Sequence, residues 1–546
     1  MRRAILIVLL LSSVVLQAQT YRIAGVVVDE SGHAQAGAQL VLRPSRDQHA
    51  TPRTVETSAD GHFVFDRLAA DKYQLFATAK GFLQQGLNQH ENFFSAVVTG
   101  PGKNSENVVF TLHRAATIRG VVIDEAGEPV REAQLRLFHR MNVGGEIRTV
   151  RSGFATTDER GSYAFRNLQP GSYFIAAIAR PWYATDSRST MRTWHVVQNG
   201  GARYTVPGQE EAIPDSATQS LDVAYPLTFF GGATEESDAR EIRLRSGDRF
   251  QADLTLTAVP AAHLRFRGSH AGKGGLQVRL RRTVFNEPEH INTSMQNDGQ
   301  GNSEINGVAP GVYDVIVSSF SFDGTGNYQE RSSRTFPLEV TGDSDVDVDA
   351  ISNVGAHVSG VVDVSGKKRS GRLFLMLRGS QGQSGTEVND NGHFDLQNVK
   401  PGRYDVFLAS NGNYSVEELA ASGGGSVAEH QLVLRGGEVT LAVTASNQLA
   451  DLSGIATDTD GTPYSGALIL LVPNEKTLSL TRVRRDQSDS DGSFSLRGVP
   501  AGNYRLYALR NGWDVQWSDP AVLSRYRGVN LHVGDTTLAQ LKPVVE

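Results

Sequence analysis

A five-fold internal repeat constrains this chain more than any other feature. The stretch DGSFSLRGVPAGNYRLYAL begins at Asp491, and cognate segments begin at Asp60, Arg160, Gln300 and Asn391. In each, a glycine precedes a tyrosine by the same interval: Gly61 to Tyr73, Gly161 to Tyr173, Gly301 to Tyr313, Gly392 to Tyr404 and Gly492 to Tyr504 all differ by 12. Repetition at a fixed interval sets the domain count before any other argument. Within the unit, Phe494 and Leu496 alternate with polar residues, as do Tyr504, Leu506 and Ala508. That period of two is the mark of half-buried strands, and the glycines mark chain reversals between them.

Around this unit the same text recurs. YRIAGVVVDESG places Ile23, Gly25 and Val27 on one face, and Asp29 and Gly32 at the first and fourth places of a turn. Ala38, Leu40 and Leu42 follow as an inward row. Repeat two copies this with Ile118, Gly120, Val122, Asp124 and Gly127, and repeat five with Leu452, Gly454, Asp458 and Gly461. Repeat three puts Phe266 in place of the strand glycine, and repeat one has Asp71 where the others carry the second turn glycine. Asp71 is expected to be strained in a left-handed conformation. Pro170-Gly171 and Pro401-Gly402 fit type II turns. The tyrosine after each second turn heads an inward row and is expected to form a tyrosine corner, its hydroxyl bonding nearby backbone. No amphipathic helix of three turns is legible. Short strands separated by Gly, Pro, Asn and Asp predict an all-β chain of Greek-key sandwiches.

The expected domains are residues 20–113, 114–258, 259–350, 351–445 and 446–546. The second carries an insertion at 181–236. Residues 1–18 read as a signal peptide: Arg2 and Arg3 precede the apolar run AILIVLLLSSVVL, which is shorter than the roughly 20 residues that span a bilayer. An exported location follows: periplasm, cell surface or secreted. The chain has no cysteine, so disulfides, thiolate metal sites and thiol nucleophiles are excluded. A net charge of −6 over 546 residues leaves no footprint for nucleic acid.

At these residues the chain resembles the carboxypeptidase regulatory-like domain. The resemblance rests on I-x-G-x-V-x-D-x-x-G, an A-x-[LI]-x-L strand and D-G-x-F-x-F-x-x-[LV]-x-P-G-x-Y, and is densest in repeats one, two and five. It implies a transthyretin-like sandwich, grouped with immunoglobulin-like and carbohydrate-binding-like folds, in an exported accessory module without catalysis.

Chemistry independent of that resemblance is sparse. None of the 14 histidines has the H-x-x-E or H-E-x-x-H spacing of a zinc peptidase. Asp458-x-Asp460-Gly461 and Asp489-x-Asp491-Gly492 set carboxylates at alternate positions, as calcium loops do, but turns need the same residues. Tyr526-Arg527-Gly528 is similar to the terminal motif of transthyretin-related hydroxyisourate hydrolases, with Val529 in place of its serine. No cofactor is expected. The arginine runs at Arg279, Arg281 and Arg282 and at Arg482, Arg484 and Arg485 are expected as solvated faces. The insertion concentrates Trp182, Tyr183, Trp194, Tyr204, Tyr225, Phe229 and Phe230 in a segment the repeat does not require. Trp182, Tyr183, Trp194 and Tyr204 are the candidate ligand-binding residues, with polysaccharide or an envelope protein as partner. Packing against repeat two is the alternative duty of these rings, and a structural spacer or adhesion array with protein partners is the alternative function.

Overall fold

The computed structural model describes residues 19–47, 49–184, 194–199, 202–207, 221–268, 274–291, 293–297, 302–322, 328–350, 355–365, 371–379, 382–410, 414–428, 430–474, 481–534 and 541–546. These are overwhelmingly strand. The one α-helix among them is a single turn, Pro520–Leu523, begun by proline and capped by Asp519, whose carboxylate accepts from the Ala521 N–H at 2.8 Å. The segments expected as signal peptide and as the turn at Gly301 lie outside the described residues, as does all but Leu541 of a last strand expected at 537–541.

Repeat one sets the pattern. Tyr21–Asp29 pairs antiparallel with His62–Leu68 and parallel with Val108–Leu112. Gln39–Pro44 pairs with Arg53–Glu56 and with Lys72–Thr78. The inward rows of the two sheets meet in one cluster, including Ile23, Val27, Leu40, Phe65, Leu75 and Phe110. Repeat two repeats this with Ala116–Ile123 between Ser162–Leu168 and the parallel Arg249–Gln251, over a core of Ile118, Leu135, Phe165 and Ile175. Repeat four joins its two sheets through one long strand, Gln431–Ser446, which pairs with Gly402–Ser410 near its start and with Ala356–Ser365 along its end.

The tyrosine corner forms in all five repeats. The hydroxyls of Tyr73, Tyr173, Tyr313, Tyr404 and Tyr504 each donate to the carbonyl four residues back, on Ala69, Gln169, Ala309, Lys400 and Pro500, at 3.2, 2.8, 2.7, 2.8 and 2.9 Å. Burial of the ring removes water as an alternative partner, so the bond fixes the turn that precedes it. The Asp–Gly turns also form: Gly32, Gly127 and Gly461 each donate to the carbonyl of Asp29, Asp124 and Asp458.

Two backbone expectations need correction. The second turn glycines 171, 311, 402 and 502 have φ of 153°, 152°, 159° and 149°, far from the roughly +80° of a type II turn. Asp71 is not in the left-handed region, so the expected strain is absent; its carboxylate accepts from the Lys72 N–H at 2.8 Å. The left-handed residue sits instead six positions before each tyrosine, at Arg67, Asn167, Gly307, Asn398 and Gly498, with φ between 55° and 72°. Each lies where the register of the opening strand pair slips, between Phe65 and Leu68 in repeat one and between Leu496 and Val499 in repeat five. A β-bulge places one residue in that conformation and bends the strand toward the corner.

The strand glycine answers a close approach. A methyl at Gly25, Gly120 or Gly360 would overlap the carbonyl oxygen of Val108, Ala252 or Leu441 on the parallel neighbour. Across the sheet these glycines face Phe63, Tyr163 and Phe394. Repeat three exchanges the sizes: Phe266, fully buried, faces Ser303.

The repeats do not hang as separate beads. Phe285 of repeat three enters repeat two and packs edge-on against Phe138 and Phe229, and against Phe174 with ring centres 4.9 Å apart. Buried Glu289 joins Arg136 at 2.8 Å and Arg151 at 3.1 Å across the same joint. Repeat five reaches back to repeat one, where Arg485 holds Glu91 with two hydrogen bonds and the Trp513 ring stacks on His90. The arginine runs are therefore only in part solvated. Arg279 is exposed, but Arg282 pairs with Glu235, Arg281 with Asp314, and Arg484 is half-buried with its guanidinium on the Gly498 carbonyl.

Candidate functional site

The insertion of repeat two starts where Gly171–Ile178 leaves the core. Four residues after Ile178 comes Trp182, followed by Tyr183. Trp182 is 73% exposed, the most exposed of the large apolar side chains given for the described residues. Its ring meets Tyr183 edge-to-face with centres 5.8 Å apart. Tyr183 is fixed from below, its hydroxyl donating to Glu125 Oε1 at 2.7 Å. Glu125 belongs to the first turn of the same repeat, beside Asp124, so the turn chemistry of the repeat positions the aromatic pair.

The electrostatics follow from this bond. Burial pushes the Tyr183 hydroxyl up, and the Glu125 carboxylate adds to the effect. Partial burial would raise Glu125, but the hydrogen bond from Tyr183 and those from backbone N–H groups outweigh it, so its carboxyl lies below the usual range. The site thus offers an exposed indole face above an ionised carboxylate. The hydroxyl of Tyr225, in the core beside Tyr183, completes the group.

The four candidate residues divide. Trp182 and Tyr183 are adjacent in space. Trp194 and Tyr204 belong to a hairpin, Trp194–Asn199 against Ala202–Pro207, where Trp194 pairs with Pro207 and Val197 with Tyr204. That register sets positions 194 and 204 on opposite faces of the hairpin. The other insertion aromatics are core. Tyr225 and Phe230 join the interior of repeat two, whereas Phe229 and Leu227 join the cluster that receives Phe285. Their duty is therefore shared between pinning the insertion and joining two repeats. On the outer sheet of repeat two, sequence reading missed an open groove of about 620 Å³, edged by Arg119, Asp158, Arg166 and Gln251 around Tyr163. Its residues come from four separate strands and the turn at Asp158, which no local pattern brings together.

The two aspartate pairs are occupied by turn and joint chemistry. Asp458 accepts from the Thr459 N–H and from Arg510, and Asp460 from the N–H and hydroxyl of Thr462. Asp489 and Asp491 meet Lys72 and Lys103, each at 2.6 Å. Among the described residues no group of three or more His, Cys, Asp or Glu could hold a metal ion. No helix among them is long and apolar enough to cross a membrane.

The carboxypeptidase regulatory-like domain family matches residues 22–113, 117–202 and 451–542, which are repeats one, two and five. No curated protein matches the chain. Among solved structures it is similar to the Bacillus anthracis TIE protein, at 10% identity over 79% of this chain and 75% of that one, with a TM-score of 0.16. A streptococcal ancillary pilin gives 14% identity over 52% and 98%, with a TM-score of 0.18. A putative adhesin of Bacteroides ovatus gives 11% over 43% and 90%, with a TM-score of 0.16. Superpositions this loose carry no function across.

Proposed function

Since the chain is a repeat protein of carboxypeptidase regulatory-like domains, we propose that it is an exported, non-enzymatic binding and scaffold module of the bacterial envelope, with carbohydrate as its ligand class. In this reading residues 1–18 are a cleaved leader and the remainder is five transthyretin-like sandwiches with boundaries near 114, 259, 351 and 446.

The observation that carries the ligand class is the Trp182–Tyr183–Glu125 group. An indole exposed on a rigid sandwich can stack on the C–H face of a sugar, while Glu125 and the hydroxyl of Tyr183 bond its hydroxyls. Loops held by a scaffold are where binding groups usually sit, and an exposed large ring has little packing value. The polar groove around Tyr163 supplies further hydrogen-bonding groups on the same repeat.

A second reading is a scaffold whose partners are proteins. It is favoured by the joints between repeats, which hold the sandwiches in a fixed arrangement. Cell fractionation locates the mature chain, and pull-down on envelope polysaccharide and peptidoglycan tests the ligand. Saturable glycan retention lost in Trp182→Ala supports the first reading. Retention by envelope protein alone, unchanged in Trp182→Ala, supports the second. A cytoplasmic chain refutes both.

A further inference from the structure

The chain contains two kinds of joint. Between repeats two and three, Val284 and Phe285 enter an apolar pocket formed by Phe138, Phe174, Ala176 and Phe229, and Val284 is fully buried there. Between repeats one and five the contacts are mostly directional. Lys72 Nζ meets Asp489 at 2.6 Å, Lys103 Nζ meets Asp491 at 2.6 Å, and Arg485 holds Glu91 at 3.0 and 3.1 Å. The Ala96 N–H donates to Asp489 at 2.8 Å, and the Ser490 N–H donates to the Ala96 carbonyl at 2.9 Å. The Val98 N–H donates to the Ser490 hydroxyl at 2.9 Å, and Gln487 Nε2 donates to the Asn88 carbonyl at 2.7 Å. The apolar share is small: Phe93 and His90 lie against Trp513. A second seat, on repeat two, has Asn142 Nδ2 donating to the Trp513 and Val515 carbonyls and the Ser518 hydroxyl to that of Gly145, with the Trp517 ring lying on Gly145.

We propose that the seam of Lys72 and residues 88–103 against residues 485–518 is a releasable clasp, so that the chain exchanges between a form closed on itself and an opened one, with repeat five as the moving part. The cores explain why release costs no fold. The sandwich cores of repeats one and five share no residue, and the outer apolar cluster of repeat five takes only the half-buried Phe93 from repeat one. Interfaces of this polar kind between domains allow relative motion, unlike large apolar ones. Every backbone and carboxylate partner lost at the seam can be replaced by water, whereas Phe285 drawn from its pocket exposes apolar surface. The three ion pairs join lysine and arginine of one repeat to carboxylates of another, so salt weakens them. The Debye length falls from about 10 Å at 0.1 M to about 3 Å at 1 M.

Two measurements on the full chain test this. Carbodiimide joins an ammonium to a carboxylate only in contact, so closed molecules yield Lys72–Asp489 and Lys103–Asp491 peptides within one chain. Small-angle scattering reads the shape: a compact body of this length has a radius of gyration of about 24 Å, and release of the clasp raises it. The expected result is intramolecular cross-links at low salt, with at least a threefold loss and a larger radius at 1 M salt. The double substitution Lys72→Glu, Lys103→Glu is expected to open the chain at low salt with its circular dichroism unchanged. The salt titration of the unmodified chain decides the matter even if that variant misfolds. A radius and cross-link yield independent of salt overturn the proposal, as do cross-links found only between two chains.

Discussion

Replacing Gly360 by alanine in repeat four isolates what the strand glycine does. A methyl there would fall on the Leu441 carbonyl oxygen and lie 2.7 Å from its carbon and 3.1 Å from its nitrogen. These are backbone atoms, so no rotamer change relieves the overlap. The strand Gln431–Ser446 must retreat, and it is paired with Ala356–Ser365 over ten successive residues from Gly437 to Ser446. The same strand supplies Val439, Leu441 and Val443 to the core. Overpacking of a filled interior typically costs 1–3 kcal/mol, and the absence of a flexible neighbour sets the expectation near the top, about 3 kcal/mol. For a unit of about 95 residues that lowers its melting transition by very roughly 12–24 °C. Calorimetry of the full chain, with hydrogen exchange of the Ala356–Ser365 amides, assigns the loss to repeat four. Gly342→Ala is the control: nothing lies within 4 Å of its methyl, and its backbone is not left-handed, so it is expected within about 0.5 kcal/mol of the parent. A Gly360→Ala change under about 1 kcal/mol, with unchanged exchange, would refute the close-approach argument.

Other substitutions probe the remaining claims. Arg67→Gly relieves a left-handed residue and is expected to raise the melting point of repeat one by the equivalent of about 1 kcal/mol; no gain in calorimetry means the bulge is misplaced. Tyr313→Phe leaves the Ala309 carbonyl unbonded and is expected to cost about 1 kcal/mol, read in the unfolding of repeat three. Phe285→Ala empties the pocket between repeats two and three, with an expected cost of about 3 kcal/mol and new protease cleavage near residue 259; resistance to cleavage would contradict the shared joint. Burial alone would lower the pKa of His263, but its bonds to Asn306 and Asp222, at 2.8 and 2.7 Å, with the charges of Asp222 and Asp343, hold it above the ordinary 6.5. A folded pKa above the unfolded value means the charged ring stabilises the joint below pH 6.5, and this is lost as pH rises through the folded pKa. The protection of the Val223–Ala224 amides, corrected for the base-catalysed intrinsic rate, is therefore expected to fall as pH rises through the folded pKa above 6.5, and an NMR titration of His263 at or below 6.5 would contradict the sign.

What was legible in the sequence was local and periodic. The interval of 12 carried the corner tyrosines, and Asp29, Asp124 and Asp458 carried the first turns, because each acts on backbone within a few residues of itself. The left-handed bulge was hidden because its residue varies, as Arg67, Asn167, Gly307, Asn398 and Gly498, and its demand is set by the register of a partner strand. The exchange of sizes between Phe266 and Ser303 needed that register too, since the two are 37 positions apart (303 minus 266). The contacts of Arg485, Asp489 and Phe285 were out of reach for a stronger reason: they depend on how whole sandwiches pack. Trp182 and Tyr183 were singled out from composition alone. Their support from Glu125 was not, because it comes from a turn nearly 60 residues earlier.

Calorimetric titration of envelope polysaccharide into the full chain, beside Trp182→Ala, tests the account most directly. The expected result is a saturable heat for the parent and at least a tenfold weaker affinity for the variant, with identical melting curves. Equal binding by the two, or no saturable binding by either, would contradict a carbohydrate-binding role centred on Trp182.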